Sequence, residues 1–326
     1  GLQCAAGLHG AGRQALVLDR ARGLGGRCAT RRFQGQPVDF GPLFLHGHHP
    51  AFLAALAEVG GGGPRWPRAV EGRGVPCQPG ALDPETRRMA FPDGVKAFPR
   101  HLAAGLDIRL ETEVTRLALA EEGFSLTTAD GAQVRCRDLV LALALEETRK
   151  LLRSLPDGPE AAGVQALLDL FSSVPCLALI AAYPLEAPVP PWDILYPEGS
   201  DVLQLVAQDS AKRIEPLFRV YVIQARPRWS RERLETPPEQ WSADLLAEAA
   251  PFLGDWAGTP LWTYAHRWRH ARVDAASELA QPVQITFPHG QRLSLVGDVF
   301  SPGGGVQAAW LSGTRAAERL LQKEHV

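Results

Sequence analysis

Hydrophobic and polar positions change period several times along the chain, and each change marks an element. Leu2, Ala5, Ala6 and Leu8 recur at loosely helical spacing and stop at Ala11-Gly12, which predicts a first helix. The apolar run from Ala15 to Leu18 reads as a strand ending on Asp19, and Val38 to Gly41 as a short strand and turn. Pro50 signals a helix start, with the helix expected over Ala51–Val59 and a flexible connection at Gly60–Gly63 and Pro64. Residues 65–91, rich in Gly, Pro and Arg, promise only short strands, and Val95–Ala104 suits a helix. Ile108–Leu119, Phe124–Thr128 and Gln133–Arg137 read as a small antiparallel sheet with turns at Glu121–Gly123 and Asp130-Gly131. Asp138–Ala142 is a buried strand. Helical patterns at Glu146–Leu155 and Gly163–Phe171 come next, then strands at Cys176–Tyr183, Val202–Gln208 and Phe218–Ala225, with a loop at Pro188–Pro191. Trp241, Leu245, Leu246 and Ala249 share one face of a helix over Pro238–Phe252. Leu293–Val296 is a last strand, and Val306 starts a last helix with Ala309, Trp310, Gly313, Ala316, Ala317, Leu320 and Leu321 at helical spacing.

Mixed strands and helices make the class α/β, and 326 residues are enough for two modules. With 45% hydrophobic and 21% charged residues the composition is that of a soluble globular protein. A net charge of −2 gives no case for nucleic acid or an anionic membrane as partner. No apolar run approaches the roughly 18 residues that span a bilayer. The five cysteines are scattered, without a CxxC pair, which fits reduced thiols in a cytoplasmic protein. The chain begins with Gly1 rather than Met, so a removed leader stays open. His46, His48 and His49 lack an acid or cysteine at zinc-like spacing; a solvated loop before Pro50 is expected and a metal site is not.

Three stretches carry chemistry. Asp19 ends a strand and is followed by Arg20, Gly23, Gly25, Gly26 and Arg27. An acid in that place accepts hydrogen bonds from a ribose, while bare glycine amides and a guanidinium suit a pyrophosphate. An ordinary loop with several glycines is the alternative. Further on, Gly303, Gly304 and Gly305 lead into the last helix, directing amides and a positive dipole end at whatever lies before them. Between these, His266, Trp268 and His270 alternate with Arg267, Arg269 and Arg272. As a strand, the first three share a face able to stack a flat heterocycle, with Arg on the other side facing solvent or a substrate phosphate. A strand with one aromatic core face and one wet charged face is the equal alternative.

Asp-x-x-x-x-x-Gly-Gly-Arg at 19–27 resembles the flavin-containing amine oxidase superfamily. RGLGGRCATRR with DFG shortly after is most similar to the renalase-type branch, as are YVIQARPRWSRERLE and YAHRWRHARV. GD-x-x-x-x-G-G-G-V, about 270 residues beyond the first glycine turn, makes the joint signal strong. The resemblance implies a discontinuous, Rossmann-type FAD-binding domain over 1–64, 92–145 and 283–326. A substrate domain of α+β type, with an antiparallel sheet, would cover 65–91 and 146–282. FAD would be held by Gly1, Asp19, Arg20, Gly25, Gly26, Arg27, Val114, Asp298, Gly304, Gly305 and Val306. For Val114, a plain core role is equally open. His266, Trp268 and His270 would line the substrate pocket, and no residue is a secure acid or base.

Set against G-x-G-x-x-G, Gly1 falls where the third glycine belongs, 18 residues before Asp19. Strand one and the first two glycines are then missing, and an incomplete copy of a longer protein is expected. The activity implied is hydride transfer from a misreduced NAD(P)H isomer to FAD, with molecular oxygen as final acceptor. Two other readings stay open: a flavin oxidase or desaturase acting on amines or hydrophobic cyclic compounds, and a non-catalytic protein that has lost flavin. Gln224, where relatives tend to carry His, and Asp209–Pro216 depart from the branch and leave the substrate open.

Overall fold

The computed structural model describes residues 1–60, 65–72, 79–156, 158–274 and 278–322. The chain forms two compact units, one from Gly1–Gly26, Pro99–Ser173 and Arg272–Val326, the other from Arg27–Phe98 and Val174–Ala271.

In the first unit, strand Leu16–Leu18 runs parallel to Asp107–Arg109. Asp138–Leu141 runs parallel to Arg292–Leu295, which also pairs antiparallel with Val283–Thr286. Val114–Ala120, Gly123–Thr128 and Gln133–Cys136 form an antiparallel meander. Helices Leu2–Gly10 and Gly305–Leu321 lie close together because each offers a glycine at the crossing. A Cβ on Gly7 would come 3.0 Å from Ala317 Cβ, and one on Gly313 would come 3.1 Å from the Cys4 nitrogen. Of the stripe its apolar spacing predicts, the long helix buries Trp310, Gly313, Ala316, Ala317 and Leu320, while Ala309 and Leu321 stay partly exposed and Ala308 is buried instead.

One expectation is corrected here. Ile108–Leu119 is not a single strand. Asp107–Arg109 pairs with Leu16–Leu18, and the strand of the meander restarts at Val114. Between them Glu111 takes a left-handed φ of 53°. The Glu111 and Thr112 amides donate to the carbonyls of Ala21 and Asp19, so the bend is fastened to the loop after the first strand. Apolar spacing carries no sign of such a bend.

The second unit is built on a six-stranded sheet in the order Trp262–Val273, Ser173–Tyr183, Arg219–Ala225, Leu203–Gln208, Ile194–Leu195, Val70–Glu71. Its central strands are continuous apolar runs because both faces are covered. Leu177, Leu179, Ala181 and Tyr183 turn to one side, where Trp241, Leu245 and Ala249 of helix Pro238–Leu253 meet them. Ile180, Ala182, Val220 and Val222 turn to the other, against Val38, Phe40 and Leu43. Those three belong to, or follow, the antiparallel hairpin Thr30–Phe33 and Gln36–Asp39.

The compact units divide the chain elsewhere than the sequence partition does. Helices Leu145–Leu152 and Pro159–Asp169 join the first unit because Leu145, Leu151, Leu152, Val164 and Leu168 are buried in its core. Residues 27–60 join the second unit through Val38, Phe40 and Leu43.

Candidate functional site

Asp19 follows its strand directly. Its amide donates to the Arg109 carbonyl at 3.0 Å, and its carbonyl accepts from Thr112 at 2.9 Å. The carboxylate Oδ1 accepts from the Ala21 amide at 2.9 Å, closing a tight turn. Arg20 is exposed and points to acids, Glu147 at 3.2 Å and Glu113 at 3.8 Å. Gly25 and Gly26 have φ of 107° and 52°, where a side chain is strained, and the space beside Gly26 is open. The bend at 111–112 brings the start of the Val114 strand beside this loop. Val114 itself pairs with Thr128 and is partly buried against the core. Gly1 caps the first helix, with its α-carbon so close to the Asp138–Leu141 strand end that a Cβ would sit 2.9 Å from Ala142 Cβ.

The second glycine turn belongs to the same unit. Gly297, with its amide donating to Ser312 Oγ at 3.0 Å, leads into buried Asp298. Gly303, Gly304 and Gly305 are left-handed in succession, with φ of 88°, 58° and 68°. Gly304 is the N-cap of the 17-residue helix, and no side chain caps the helix amides. Val306 lies in its first turn. A Cβ on Gly303 would meet open space, while Ser301 Oγ is buried without a hydrogen-bond partner. Uncapped amides, a positive dipole end, open space and an unsatisfied hydroxyl fit a ligand rich in acceptor atoms.

Arg27 belongs by its contacts to the second unit. It donates to the Ala271 carbonyl at 3.3 Å, and its own carbonyl stands where a side chain at Gly41 would go. The aromatic face lies in this unit as well. Strand alternation puts Trp262, Tyr264, His266, Trp268 and His270 on one side of Trp262–Val273. Trp268 packs edge-on against His266 at 4.3 Å, and Phe40 lies against both, 5.6 Å from Trp268 and 4.9 Å from His266. Trp268 Nε1 donates to the Phe40 carbonyl at 2.9 Å, and Gln224 Nε2 donates to the Gly41 carbonyl at 3.0 Å. Arg31 lies over the Tyr264 ring at 4.8 Å and donates to its hydroxyl at 2.9 Å. Burial, and then the Arg31 charge, push the His266 imidazole down to about 4, so it is neutral at physiological pH.

On the opposite face, expected to present Arg to solvent or to a substrate phosphate, two arginines are engaged by nearby groups. Arg267 donates to the Thr236 carbonyl and Arg269 pairs with the Glu235 carboxylate. Those arginines fasten residues 235–236 to the sheet. Among the described residues no cluster of His, Cys, Asp and Glu is arranged to hold a metal ion. No helix there is long and apolar enough to cross a membrane.

The model of the family described as flavin containing amine oxidoreductase matches residues 1–68 and 78–321. The chain belongs to that family. This flavin-containing amine oxidoreductase is accordingly an enzyme whose cofactor is FAD. Its fold is similar to that of solved putrescine oxidases. The wild type bound to putrescine aligns with a TM-score of 0.66 at 15% identity, covering 99% of this chain and 96% of that one. A single-substitution mutant, from the same structure-based redesign of cofactor binding, aligns at 0.70 and 15%, covering 98% and 96%.

Sequence reasoning missed several residues of the amine oxidoreductase's aromatic face. Trp262 and Tyr264 have the same strand parity as His266, so extending the alternation backwards finds them. Arg31 comes from a hairpin distant in sequence and Phe40 directly follows that hairpin, and no spacing rule connects them to the strand.

Proposed function

We propose that this enzyme oxidises a small amine, taking a hydride from the carbon that bears nitrogen and leaving an imine, with oxygen reduced to hydrogen peroxide. FAD, when bound, supplies the two-electron acceptor. Asp19 would accept from the ribose hydroxyls, and the Gly25-Gly26 amides and the Gly1 nitrogen would hold the phosphates, with Arg27 next in sequence. The Gly304, Gly305 and Val306 amides would hold the pyrimidine edge, where the helix dipole would stabilise negative charge. Asp298 would hold the ribityl chain, and Val114 and Arg20 the adenosine.

The observation that carries the substrate class is the face formed by Phe40, Tyr264, His266 and Trp268. It is a set of π-surfaces around an imidazole that is uncharged at neutral pH. Aromatic faces attract an ammonium group and its alkyl chain, and a neutral imidazole adds a hydrogen-bond acceptor without repelling it. His270 extends the same face. Family membership and the fold shared with putrescine oxidases support an amine over other donors.

A second reading keeps the renalase-like activity, oxidation of a misreduced dihydronicotinamide. Arg31 favours it, since a guanidinium at 4.8 Å from the Tyr264 ring sets a phosphate-binding group beside a flat shelf. Anaerobic mixing of the flavin-loaded enzyme with mono- and diamines, and separately with dihydronicotinamide isomers, distinguishes the two. Bleaching of the flavin absorbance by amines supports the first reading, bleaching by dihydronicotinamides alone the second, and inertness toward both overturns both.

A further inference from the structure

The second unit buries four charged side chains in one cluster, one of which, Asp39, directly precedes Phe40. Asp39, Asp209 and Lys212 side chains are 0% exposed and Arg213 is 3% exposed. Lys212 Nζ touches Asp39 Oδ2 at 2.8 Å, Asp209 Oδ1 at 2.6 Å and the Leu43 carbonyl at 2.7 Å. It also lies 4.8 Å from the centre of the Trp66 ring. Arg213 reaches Asp39 Oδ2 at 3.0 Å, Asp209 Oδ2 at 2.6 Å, and the carbonyls of Phe91 and Pro92. Asp39 Oδ1 accepts from Thr30 Oγ1 at 2.5 Å and from the Val95 amide at 2.9 Å, while the Asp39 amide donates to Asp209 Oδ1 at 3.1 Å. Gly94 is required beside it, because a Cβ there would come 2.7 Å from Asp39 Oδ1.

Two carboxylates balance two cations, and partners from five segments converge on them. Burial alone pushes the Asp39 carboxyl up, but Lys212 and Arg213 outweigh it and hold it below the usual carboxylate range. Burying such a cluster costs desolvation that apolar packing would avoid, so its return is sought in geometry rather than in stability. Asp39 is followed directly by Phe40, whose ring and carbonyl meet His266 and Trp268. The backbone there is held from one side by the ionic cluster and from the other by Trp268 and Gln224.

We propose that Asp209, Lys212 and Arg213 are positioning residues: through Asp39 they fix Phe40 and with it the register of the aromatic face that meets substrate. The substrate part rests on the function proposed above, and the positional part does not.

The test uses the flavin-loaded enzyme and the charge-neutral double variant Asp209→Asn with Lys212→Met, which leaves no unbalanced buried charge. Leu245→Ala, which opens a cavity on the far face of the same sheet, serves as a control for destabilisation alone. The Trp268 indole N–H resonance is identified by its loss in Trp268→Phe. The double variant is expected to shift that resonance and to raise KM on the order of tenfold with little change in kcat, as a displaced contact surface does. The control is expected to leave both in place. An unmoved resonance in the double variant overturns the proposal, and a moved resonance with KM unchanged, or an equal KM shift in the control, overturns its substrate part. If the double variant does not fold, Lys212→Arg, which keeps the charge but not the reach, is read by the same two measurements. If no amine or dihydronicotinamide reduces the wild-type flavin, the proposed function falls while the resonance still decides the positional claim.

Discussion

Trp268 holds Phe40 twice, donating its indole N–H to the Phe40 carbonyl at 2.9 Å and stacking its ring on the Phe40 ring at 5.6 Å with 27° between planes. The two contacts separate by substitution. Trp268→Phe keeps a ring against Phe40 and loses the hydrogen bond, so a stability loss of about 1 kcal/mol is expected. Trp268→Ala removes both and is expected to cost about 3 kcal/mol. Thermal unfolding of the two variants measures this, and KM is expected to rise further for Ala than for Phe.

The His266 imidazole binds a proton less readily in the folded chain than in the unfolded one, its value falling from 6.5 to about 4. The unfolded state therefore holds more protons between those values. Stability falls as pH drops from about 6.5 to about 4, and above that window His266 contributes no pH dependence. The face is partly open to solvent, which limits the effect to about 1–2 kcal/mol. His266→Gln is expected to remove that part of the slope. Denaturant unfolding of wild type and variant at several pH values measures it, and parallel curves across the window would show that His266 is not desolvated.

Much of this architecture is legible before any coordinates. The helix face Trp241, Leu245 and Ala249 and the strand parity of His266 and Trp268 follow from period alone. The two glycine turns are visible because left-handed backbone at Gly25, Gly26 and Gly303–Gly305 demands the residue type. What spacing does not reveal is long-range pairing. Asp39 and Lys212 lie 173 positions apart, and no spacing rule joins the DFG turn to the segment over 209–216. Nor does it show where the helices over 145–169 bury their apolar faces, which depends on the meander they pack against.

Helices Leu2–Gly10 and Gly305–Leu321 approach closely through Gly313, where a Cβ would be 3.1 Å from the Cys4 nitrogen and 3.2 Å from Gln3 Cβ. Backbone cannot swing away as a side-chain tip can. Gly313→Leu is expected to destabilise by about 1–3 kcal/mol and to lower the flavin content of purified protein. The second effect follows because this crossing sets where both helix N-termini point. Calorimetric melting and the ratio of flavin to protein absorbance measure the two.

Asp19 separates a structural from a ligand-binding role within one side chain. Its Oδ1 accepts from the Ala21 amide at 2.9 Å, a bond that asparagine can also make and alanine cannot. Asp19→Asn is therefore expected to leave the unfolding temperature of the flavin-free protein nearly unchanged, while Asp19→Ala lowers stability by about 1 kcal/mol. A ribose diol donates to a charged acceptor more strongly than to a neutral amide, and asparagine loses that charge. Both variants are expected to weaken FAD binding on the order of tenfold to a hundredfold, from a charged hydrogen bond worth about 1.5–3 kcal/mol. Titration of the flavin-free protein, followed by quenching of FAD fluorescence, gives the dissociation constants. Wild-type affinity in Asp19→Asn would leave this carboxylate with the turn alone and move the ribose contact to another group.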